Sequence, residues 1–437
     1  MVSCQLHFEP HWGVRTIHVM DCMFCSQCTI SHLFRWFTYV ASLSLLKTAH
    51  EDSQLLVSLL IVARMAPNTI CSFPGGFLAD CYNRKVLMVV IDLLSAVVAL
   101  TYLAAVNRHY SWLLVCTILQ ETLSGLYEPS RSAILPLLLD GQEYLDKANI
   151  TTNISWSLTA AIGSGLGGWV VAHYGAQACF FSDAVLYLLS AMFLHCGVHG
   201  NFNTSKLKEN GQTKSSPSTF AMLIELLDYL HSPKGVYVLF KFCGSFLFGA
   251  SDVLQVFFAT DEEGHLDSER LGWLFVAVGI GCLVGPLSVP ANRSYILTII
   301  CAYAVLGLGF GALGLSRSFW LDVLLNVPRS AGAALLWVES SILVQRETDA
   351  TILGRVSAVD YSLALLGEGV SAVMAGYLQD SLGWNGYEVS MLLSSMGFAM
   401  SASWGLWYFQ CYTKRTSQEA KLYISEDDVE MEPLNST

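Results

Sequence analysis

The feature that most constrains this chain is a series of long apolar runs that recurs from about residue 30 to residue 411. A bilayer core about 30 Å thick is crossed by roughly 20 apolar residues in a helix, so this span has room for about a dozen helices with short loops. Lipid offers no water to an exposed backbone, and the runs lack the strict alternation of barrel strands. The sequence therefore predicts an all-α membrane protein embedded in a lipid bilayer.

The composition excludes a soluble protein with one anchor. Of the 437 residues, 53% are hydrophobic and 13% are charged, against roughly 45–50% and about 25% in an ordinary soluble domain. The apolar runs follow one another too closely for a soluble domain to fit between them. The net charge of −12 is concentrated in Asp261 to Glu269 and Glu426 to Glu432, which lie outside the predicted helices. We expect no nucleic-acid partner.

The runs divide into two groups of six predicted helices. An atypical N-terminal segment covers 1–29, a first helix bundle 30–198, a polar linker 199–233, a second bundle 234–411 and an acidic, disordered tail 412–437. The helices are predicted at 30–47, 54–78, 86–106, 111–138, 149–173, 176–198, 234–260, 270–290, 294–315, 318–345, 354–379 and 387–411.

Lysine and arginine predict the orientation, because loops rich in these residues stay in the cytoplasm. The richer side holds Arg84, Lys85, Lys147, Lys206, Lys208, Lys214, Arg293, Arg346, Arg355, Lys414, Arg415 and Lys421, and the other side holds Lys47, Arg108, Arg270 and Arg317. Both termini and the linker are therefore predicted to be cytoplasmic. The membrane is either the plasma membrane or that of an organelle.

The segment from Gly75 to Lys85 reads Gly-Gly-Phe-Leu-Ala-Asp-Cys-Tyr-Asn-Arg-Lys and lies between the second and third predicted helices. It resembles the loop signature of the major facilitator superfamily. The resemblance implies two six-helix bundles around a central cavity, and the shortness of the first predicted helix leaves open that this helix is incomplete here. It also implies a conformational latch in this loop, formed by Gly76, Asp80, Arg84 and Lys85. The alternative is a charged turn that only keeps the loop in the cytoplasm.

A second pattern lies in the fifth helix, where the sequence is Gly-Ser-Gly-Leu-Gly-Gly at 163–168. It resembles an antiporter signature of exporter branches, with Ser164 in place of a proline. Small residues at this spacing also let membrane helices pack closely, so either reading explains them. The residues concerned are Gly163, Gly165, Gly167 and Gly168.

Further matches connect the chain to one branch of that superfamily. The runs 127–136 and 144–149 are similar to the region of the fourth and fifth helices in bacterial macrolide and siderophore exporters. The departure is at the start, where residues 1–31 show no family-like sequence and Arg35 lies inside a short first helix. Because the first helix lines the transport path in this family, this departure is the reason for the alternative of a non-transporting receptor or assembly protein.

A weak internal repeat supports two equivalent halves. Gly76 and Arg84 precede Gly285 and Arg293 by 209 residues (285−76 and 293−84). Gly168 and Gly175 precede Gly376 and Gly383 by 208 residues (376−168 and 383−175). Repeats of this kind are typical of secondary transporters.

Ionisable residues inside membrane helices are costly, so each is a candidate functional residue. Proton coupling requires a buried carboxyl group that can load and release a proton near neutral pH. The deepest acids, and hence the coupling candidates, are Asp92, Glu121, Asp183 and Asp252. For each the alternative is a structural hydrogen bond or ion pair. The other ionisable residues predicted within helices are Arg64, Glu128, Arg131, Lys241, Asp322, Arg329, Glu339, Asp360 and Glu368, with Glu128 and Arg131 expected to pair.

The sequence favours a secondary transporter of a small organic solute, with proton-coupled export as the preferred mechanism and protons as the coupling ion. A facilitator or importer, or a non-transporting receptor or assembly protein, stays open. No nucleotide-binding loop or nucleophile motif is present, so we expect neither an enzyme nor a cofactor. Cys22, Cys25 and Cys28 have metal-site spacing but lack a fourth clustered ligand, so no metal is expected. We expect a monomer.

Overall fold

A computed structural model describes residues 35–47, 53–105, 110–138, 142–197, 228–260, 265–290, 292–348 and 353–430. These residues form twelve long helices, of which α1 covers 35–47. The others are α2 (Gln54–Cys81), α3 (Arg84–Ala105), α4 (Tyr110–Leu138), α5 (Gln142–Tyr174), α6 (Ala176–Gly197), α7 (Val236–Ala259), α8 (Ser268–Leu287), α9 (Tyr295–Leu315), α10 (Phe319–Glu347), α11 (Leu353–Leu382) and α12 (Gly386–Glu430). The sequence predicted each of them.

Ten of these helices are long and apolar enough to cross a membrane, judged by length and composition. The two others are α1, of which 13 residues are described, and α4, which carries Gln120 and Glu121 near its middle. The helices expose many large apolar side chains, such as Leu100, Ile162 and Leu308. Such faces suit a lipid environment, because a soluble protein rarely exposes so much apolar surface.

The helix boundaries have local causes. Ser53 accepts a hydrogen bond from the Leu56 amide at 3.2 Å and so caps α2, and Asp267 accepts the amides of Glu269 and Arg270 at the start of α8. These side chains satisfy amides that lack a partner within the helix. A short 3₁₀ turn, Pro233–Gly235, precedes α7 in the part of the predicted linker that the structure describes.

The last helix differs from the prediction of a disordered tail after residue 411. It continues to Glu430, and residues 431–437 lie outside the described residues. An existing helix extends at little cost, since nucleation is the expensive step. Residues 412–430 contain neither glycine nor proline, and good helix formers such as Glu419, Ala420 and Lys421 are among them. Pro433 lies beyond the helix end.

The helices pack as two related bundles. In the first, α2 and α3 pack on α4 and α3 packs on α6; in the second, α8 and α9 pack on α10 and α9 packs on α12. Adding six to each helix number of the first set gives the second. The bundles meet where α2 packs on α11 and where α5 packs on α8. Adding six to α2 and α5 gives α8 and α11, so these two interfaces are also equivalent. The internal repeat in the sequence is thus a repeat of structure.

Several close contacts between the bundles lie toward one end of the molecule. Asp380 of α11 accepts the amides of Gln54 and Leu55 at the start of α2, at 2.9 and 2.8 Å. Further along, the Ser58 hydroxyl donates to the Ala372 carbonyl at 2.7 Å. The Ser268 hydroxyl of α8 lies 2.9 Å from that of Ser44 in α1. We call this the closed end; it contains the start of α2 and the start of α8.

Glycines permit the close approach at the closed end, in the positions that the repeat predicts. A side chain at Gly168 would collide with the backbone of Ser268 and Gly272, and one at Gly376 would collide with the start of α2. Gly175 and Gly383, seven residues after each, have φ of 80° and 71° in the turns that follow α5 and α11. Residues with a Cβ rarely adopt this conformation, so both turns require glycine.

Candidate functional site

A buried charge cluster lies where α1 meets α4 and α2. Arg35 of α1 forms an ion pair with Glu121 of α4 at 2.7 Å. Arg64 and Asn68 of α2 approach the same carboxylate at 3.8 and 3.1 Å. Removing one member of a buried pair costs about 3–5 kcal/mol, because it leaves the other charge uncompensated. Glu121 is therefore an anchor for three helices in this arrangement.

Two adjoining cavities open beside this cluster within the first bundle. One is lined by Arg35, Thr38, Tyr39, Ser42, Leu60, Arg64, Tyr102, Thr117, Gln120, Glu121, Asp183 and Tyr187. The other shares Arg35, Gln120 and Tyr187 with the first and is lined further by Asp92 and Glu128. Three of the four predicted coupling acids thus line two adjoining spaces.

Asp92 and Asp183 are buried and hydrogen bond within the first bundle. The Ser190 hydroxyl of α6 donates to Asp92 of α3 at 2.6 Å, and the Thr38 hydroxyl of α1 donates to Asp183 of α6 at 2.6 Å. Neither forms an ion pair among the described residues. A buried carboxyl group without a cation partner is the kind of group that can exchange a proton.

Asp252 differs from the other three acids because its hydrogen bond joins the two bundles. The Tyr39 hydroxyl of α1 donates to Asp252 of α7 at 2.5 Å. The Arg64 guanidinium lies over the Tyr39 ring, 3.9 Å from its centroid. Trp36 and Tyr39 also pack against Phe275 of α8, with ring centroids 5.5 and 5.7 Å apart. The first helix therefore contacts the second bundle through both an apolar and a polar surface.

The family model that matches is "Major Facilitator Superfamily", over residues 26–367. The chain belongs to the major facilitator superfamily. It is therefore an integral, multi-pass membrane protein of a transporter class. The match begins at residue 26 and so includes the first helix. Its description names no branch of the superfamily.

Curated relatives of this major facilitator protein are distant. It is 24% identical over 379 residues to "Uncharacterized MFS-type transporter YfiS" of Bacillus subtilis (strain 168), covering 84% of this chain and 87% of the relative. It is 22% identical over 350 residues to "Multidrug efflux pump Tap" of Mycolicibacterium fortuitum, covering 76% and 83%.

Solved structures confirm the major facilitator fold. A mutant form of the nucleoside transporter NupG has a TM-score of 0.68 at 12% identity, with 89% of this chain and 99% of that chain covered. A POT family transporter in complex with 5-aminolevulinic acid has a TM-score of 0.68 at 13% identity, with 89% and 95% covered. At such identities the likeness concerns the fold alone.

The major facilitator loop signature is described in part. The surroundings of Gly76 and the side chain of Asp80 lie outside the described part of the structure, so the proposed latch stays a prediction. Arg84 is buried, and the Lys85 ammonium donates to the His195 carbonyl at 2.8 Å. In the second bundle the equivalent Arg293 pairs with Glu339 of α10. This hydrogen bonding to Glu339 raises the pKa of the Arg293 guanidinium above its ordinary value.

The glycines of α5 lie at contacts between helices. A side chain at Gly167 would meet the backbone of Phe37 in α1, and Gly165 faces Val276 of α8. Gly165, Gly167 and Gly168 thus let α5 approach α1 of its own bundle and α8 of the other bundle. Gly163, on the same helix, is buried. The Ser164 hydroxyl donates to the Ala160 carbonyl at 2.5 Å, within the helix. Packing accounts for these positions, and an antiporter role stays a prediction.

The predicted pair of Glu128 and Arg131 is confirmed, with 2.7 Å between their charged groups. Lys241 of α7 and Asp360 of α11 form a buried ion pair. The sequence analysis named both residues but did not predict that they pair. Arg329, fully buried, donates to Ser251 at 2.5 Å and to Asn326 at 2.9 Å. A position in a predicted helix marked each as a candidate, but nothing in the sequence identified its partner.

Cys22, Cys25 and Cys28 lie outside the described residues.

Proposed function

We propose that this protein is a proton-coupled exporter of an amphipathic organic compound that works by alternating access. The observation that carries the proposal is the hydrogen bond from Tyr39 to Asp252, because it joins a carboxylate of one bundle to a hydroxyl of the other. Rocking of one bundle against the other changes such a contact. A proton that binds at Asp252 can therefore alter the balance between two access states.

The direction of the coupling follows from the strength of this bond. A hydrogen bond to an ionised carboxylate is roughly twice as strong as one between neutral groups. Ionised Asp252 therefore favours the arrangement in which the closed end is sealed, and a bound proton weakens the seal. If the lysine and arginine distribution gives the orientation, the closed end faces outward and Asp252 releases its proton toward the cytoplasm.

Two further facts support export over the alternatives. One relative is named a multidrug efflux pump, and three buried acids, Asp92, Glu121 and Asp183, line the cavities of the first bundle. Aromatic side chains such as Tyr39, Tyr102 and Tyr187 line one cavity, and rings of this kind are the surface that an amphipathic compound would contact if the cavity widens in another access state. The resemblance to macrolide and siderophore exporters points the same way.

The test is flux of a substrate in proteoliposomes with and without a pH gradient, using compounds selected by ligand-induced thermal shift of the purified protein. Uphill movement that requires the gradient supports the proposal. Equilibration that ignores the gradient would establish a facilitator. Binding without flux would establish a receptor, and would answer whether the atypical N-terminal segment leaves a working transporter.

The orientation yields a separate prediction. Cysteines introduced at Gly211 in the predicted linker and at Ser425 in α12 should react with a membrane-impermeant reagent only after the membrane is permeabilised. A cysteine at Gly264, between α7 and α8, should react in intact cells. Each labelling signal is compared with that of the unsubstituted protein, whose native cysteines give the background. The reverse pattern would show that the closed end faces the cytoplasm.

The loop signature yields a second prediction. Asp80→Asn should reduce flux severalfold more than it reduces protein abundance, because a latch acts on the balance between access states rather than on core packing. Flux per molecule is measured in proteoliposomes that contain equal amounts of protein. Glu347→Gln, which changes an exposed acid, is the control. Equal losses of abundance and flux would establish that Asp80 serves only a charged turn.

A further inference from the structure

The cavity that Glu121 and Asp183 line in the first bundle is also lined by two residues whose buried oxygen atoms have no hydrogen bond. The Ser42 hydroxyl of α1 and the Gln120 amide oxygen of α4 are enclosed and have no partner among the described residues. Ser42 is 3% exposed and Gln120 is 6% exposed. Native proteins leave few buried polar atoms without a partner. Two such atoms in the lining of one small cavity therefore indicate that something binds there.

Asp183 of α6 brings a negative charge to the same cavity. One oxygen of its carboxylate accepts the Thr38 hydroxyl at 2.6 Å, and no other hydrogen bond or ion pair reaches it from a described residue. An ionised carboxylate has room for about four such contacts. The Thr38 hydroxyl keeps its own lone pairs after it has donated its proton. Both groups can therefore still accept a ligand.

The available oxygen atoms come from three helices. Thr38 and Ser42 are four residues apart in α1, so they share one face of that helix. Gln120 reaches the cavity from α4 and Asp183 reaches it from α6. The lining thus offers one carboxylate, two hydroxyls and one amide oxygen. Oxygen atoms of these kinds are the ligands that hard metal cations take in proteins.

The charges around the cavity favour a cation over a neutral water molecule. Arg35 and Arg64 also line the cavity, but both lie against Glu121, at 2.7 and 3.8 Å. Arg35 is within electrostatic range of Asp183 but does not pair with it. The ionisable groups of the two adjoining cavities and those in electrostatic contact with them are four arginines and six acids. They are Arg35, Arg64, Arg131 and Arg329 against Asp92, Glu121, Glu128, Asp183, Asp252 and Glu368. With all of them ionised, two negative charges are in excess.

The composition of the lining favours a monovalent ion. Calcium is commonly held by several carboxylates, and magnesium usually keeps several of its waters. The described residues contain no group of three acidic, histidine or cysteine side chains that could hold a metal ion. One carboxylate among neutral oxygen atoms matches a single positive charge. Sodium is the smaller of the two abundant monovalent cations, and it suits the small cavity better than potassium does.

We propose that this cavity binds a sodium ion, held by Asp183, Gln120, Ser42 and Thr38, and that the ion fastens α1 to α4 and α6. The proposal goes beyond the proposed function, because it concerns neither the solute nor the proton. The ion occupies two oxygen atoms that have no hydrogen bond, and it adds a positive charge where acids are in excess. Water molecules complete its coordination shell.

The experiment is equilibrium binding of radioactive sodium to the purified full-length protein in detergent, with choline chloride keeping the ionic strength constant. We expect saturable binding of one ion per protein. Unlabelled sodium chloride should displace the label, and the same concentration of potassium chloride should displace much less. Asp183→Asn keeps the size of the side chain and its hydrogen bond from Thr38 but removes the charge, so it should abolish saturable binding. Ser42→Ala should weaken the affinity severalfold.

The matched control is Ser245→Ala. Ser245 of α7 is also a buried serine whose hydroxyl has no partner among the described residues, but it lies outside the cavity. This variant should bind sodium as the unsubstituted protein does. Unchanged affinity in Ser42→Ala overturns the proposal. The absence of saturable binding to the unsubstituted protein also overturns it and would assign the cavity to water only.

If Asp183→Asn fails to fold, thermal unfolding of the two serine variants provides the test. Sodium chloride should raise the unfolding temperature of the unsubstituted protein and of Ser245→Ala above its value in choline chloride, because a ligand stabilises the state that binds it. The increase should be smaller in Ser42→Ala. An equal increase in all three proteins, or no increase in any, overturns the proposal. None of these measurements involves flux, so sodium binding can be refuted while the exporter stands, and the reverse.

Discussion

Asp252→Asn is expected to abolish flux driven by a pH gradient while the protein stays folded and still binds its substrate. Asparagine keeps the size of aspartate and can still accept the Tyr39 hydrogen bond, but it cannot take up or release a proton. The negative charge that strengthens this bond is also lost. The equilibrium between the two access states then no longer depends on protonation at this position. Downhill exchange of substrate should persist where uphill flux has fallen to background.

The measurement compares gradient-driven flux with substrate binding in the same preparation of each variant. Asp92→Asn and Asp183→Asn are the matched comparisons, because their hydrogen bonds stay within the first bundle. They should alter flux less than Asp252→Asn does. If all three variants transport normally with unchanged pH dependence, the proton-antiport mechanism is wrong and a facilitator becomes the better description.

The helices were predictable because membrane thickness sets the length of an apolar run, lipid admits only helices and closed barrels, and the runs lack the alternation of barrel strands. Boundaries such as Ala176, Tyr295 and Leu315 follow directly from where the runs begin and end. The two-bundle arrangement was predictable in outline from glycines 208 residues apart. Gly175 and Gly383 repeat because each turn requires a positive φ, which is a backbone property that the sequence records.

The polar contacts were not predictable, because they join residues far apart in the chain. Tyr39 and Asp252 are separated by 213 positions, and no local pattern announces such a pair. The sequence analysis chose acids by their depth in a predicted helix, and by that criterion Glu121 and Asp252 are equivalent candidates for proton coupling. The structure separates them, since Glu121 is held by two arginines of its own bundle whereas Asp252 faces the other bundle.

Glu368 is a second example of a feature that the sequence could not predict, in this case the lack of a bonding partner among the described residues. The sequence placed it in a helix among many ionisable residues but not among the deepest acids. What distinguishes it is its burial without a bonding partner among the described residues, together with its position where Gly249 of α7 packs against its backbone and Val62 of α2 lies next to Gly369. Both are properties of packing, which depends on how α2, α7 and α11 approach one another. Hydropathy carries no information about that approach.

A disulfide across the closed end is expected to stop transport, and its reduction to restore it. Ser44 and Ser268 belong to different bundles and their hydroxyl oxygens lie 2.9 Å apart. Cysteines at these two positions would therefore meet the short spacing that a disulfide requires. If the bundles must separate here in every cycle, the bond holds one access state and flux falls to background. Either cysteine alone should leave flux unchanged.

The matched control is a disulfide inside one bundle. Thr101 of α3 lies 3.4 Å from the sulfur of Cys116 in α4, so Thr101→Cys should form a bond that moves with the first bundle and leaves flux intact. A protease site inserted at Gly211 shows which bond has formed, because only the bond between Ser44→Cys and Ser268→Cys keeps the cleaved halves together on a non-reducing gel. Full flux through protein that is shown to be cross-linked at the closed end would mean that this end does not open during transport. Alternating access between these two bundles would then be the wrong mechanism.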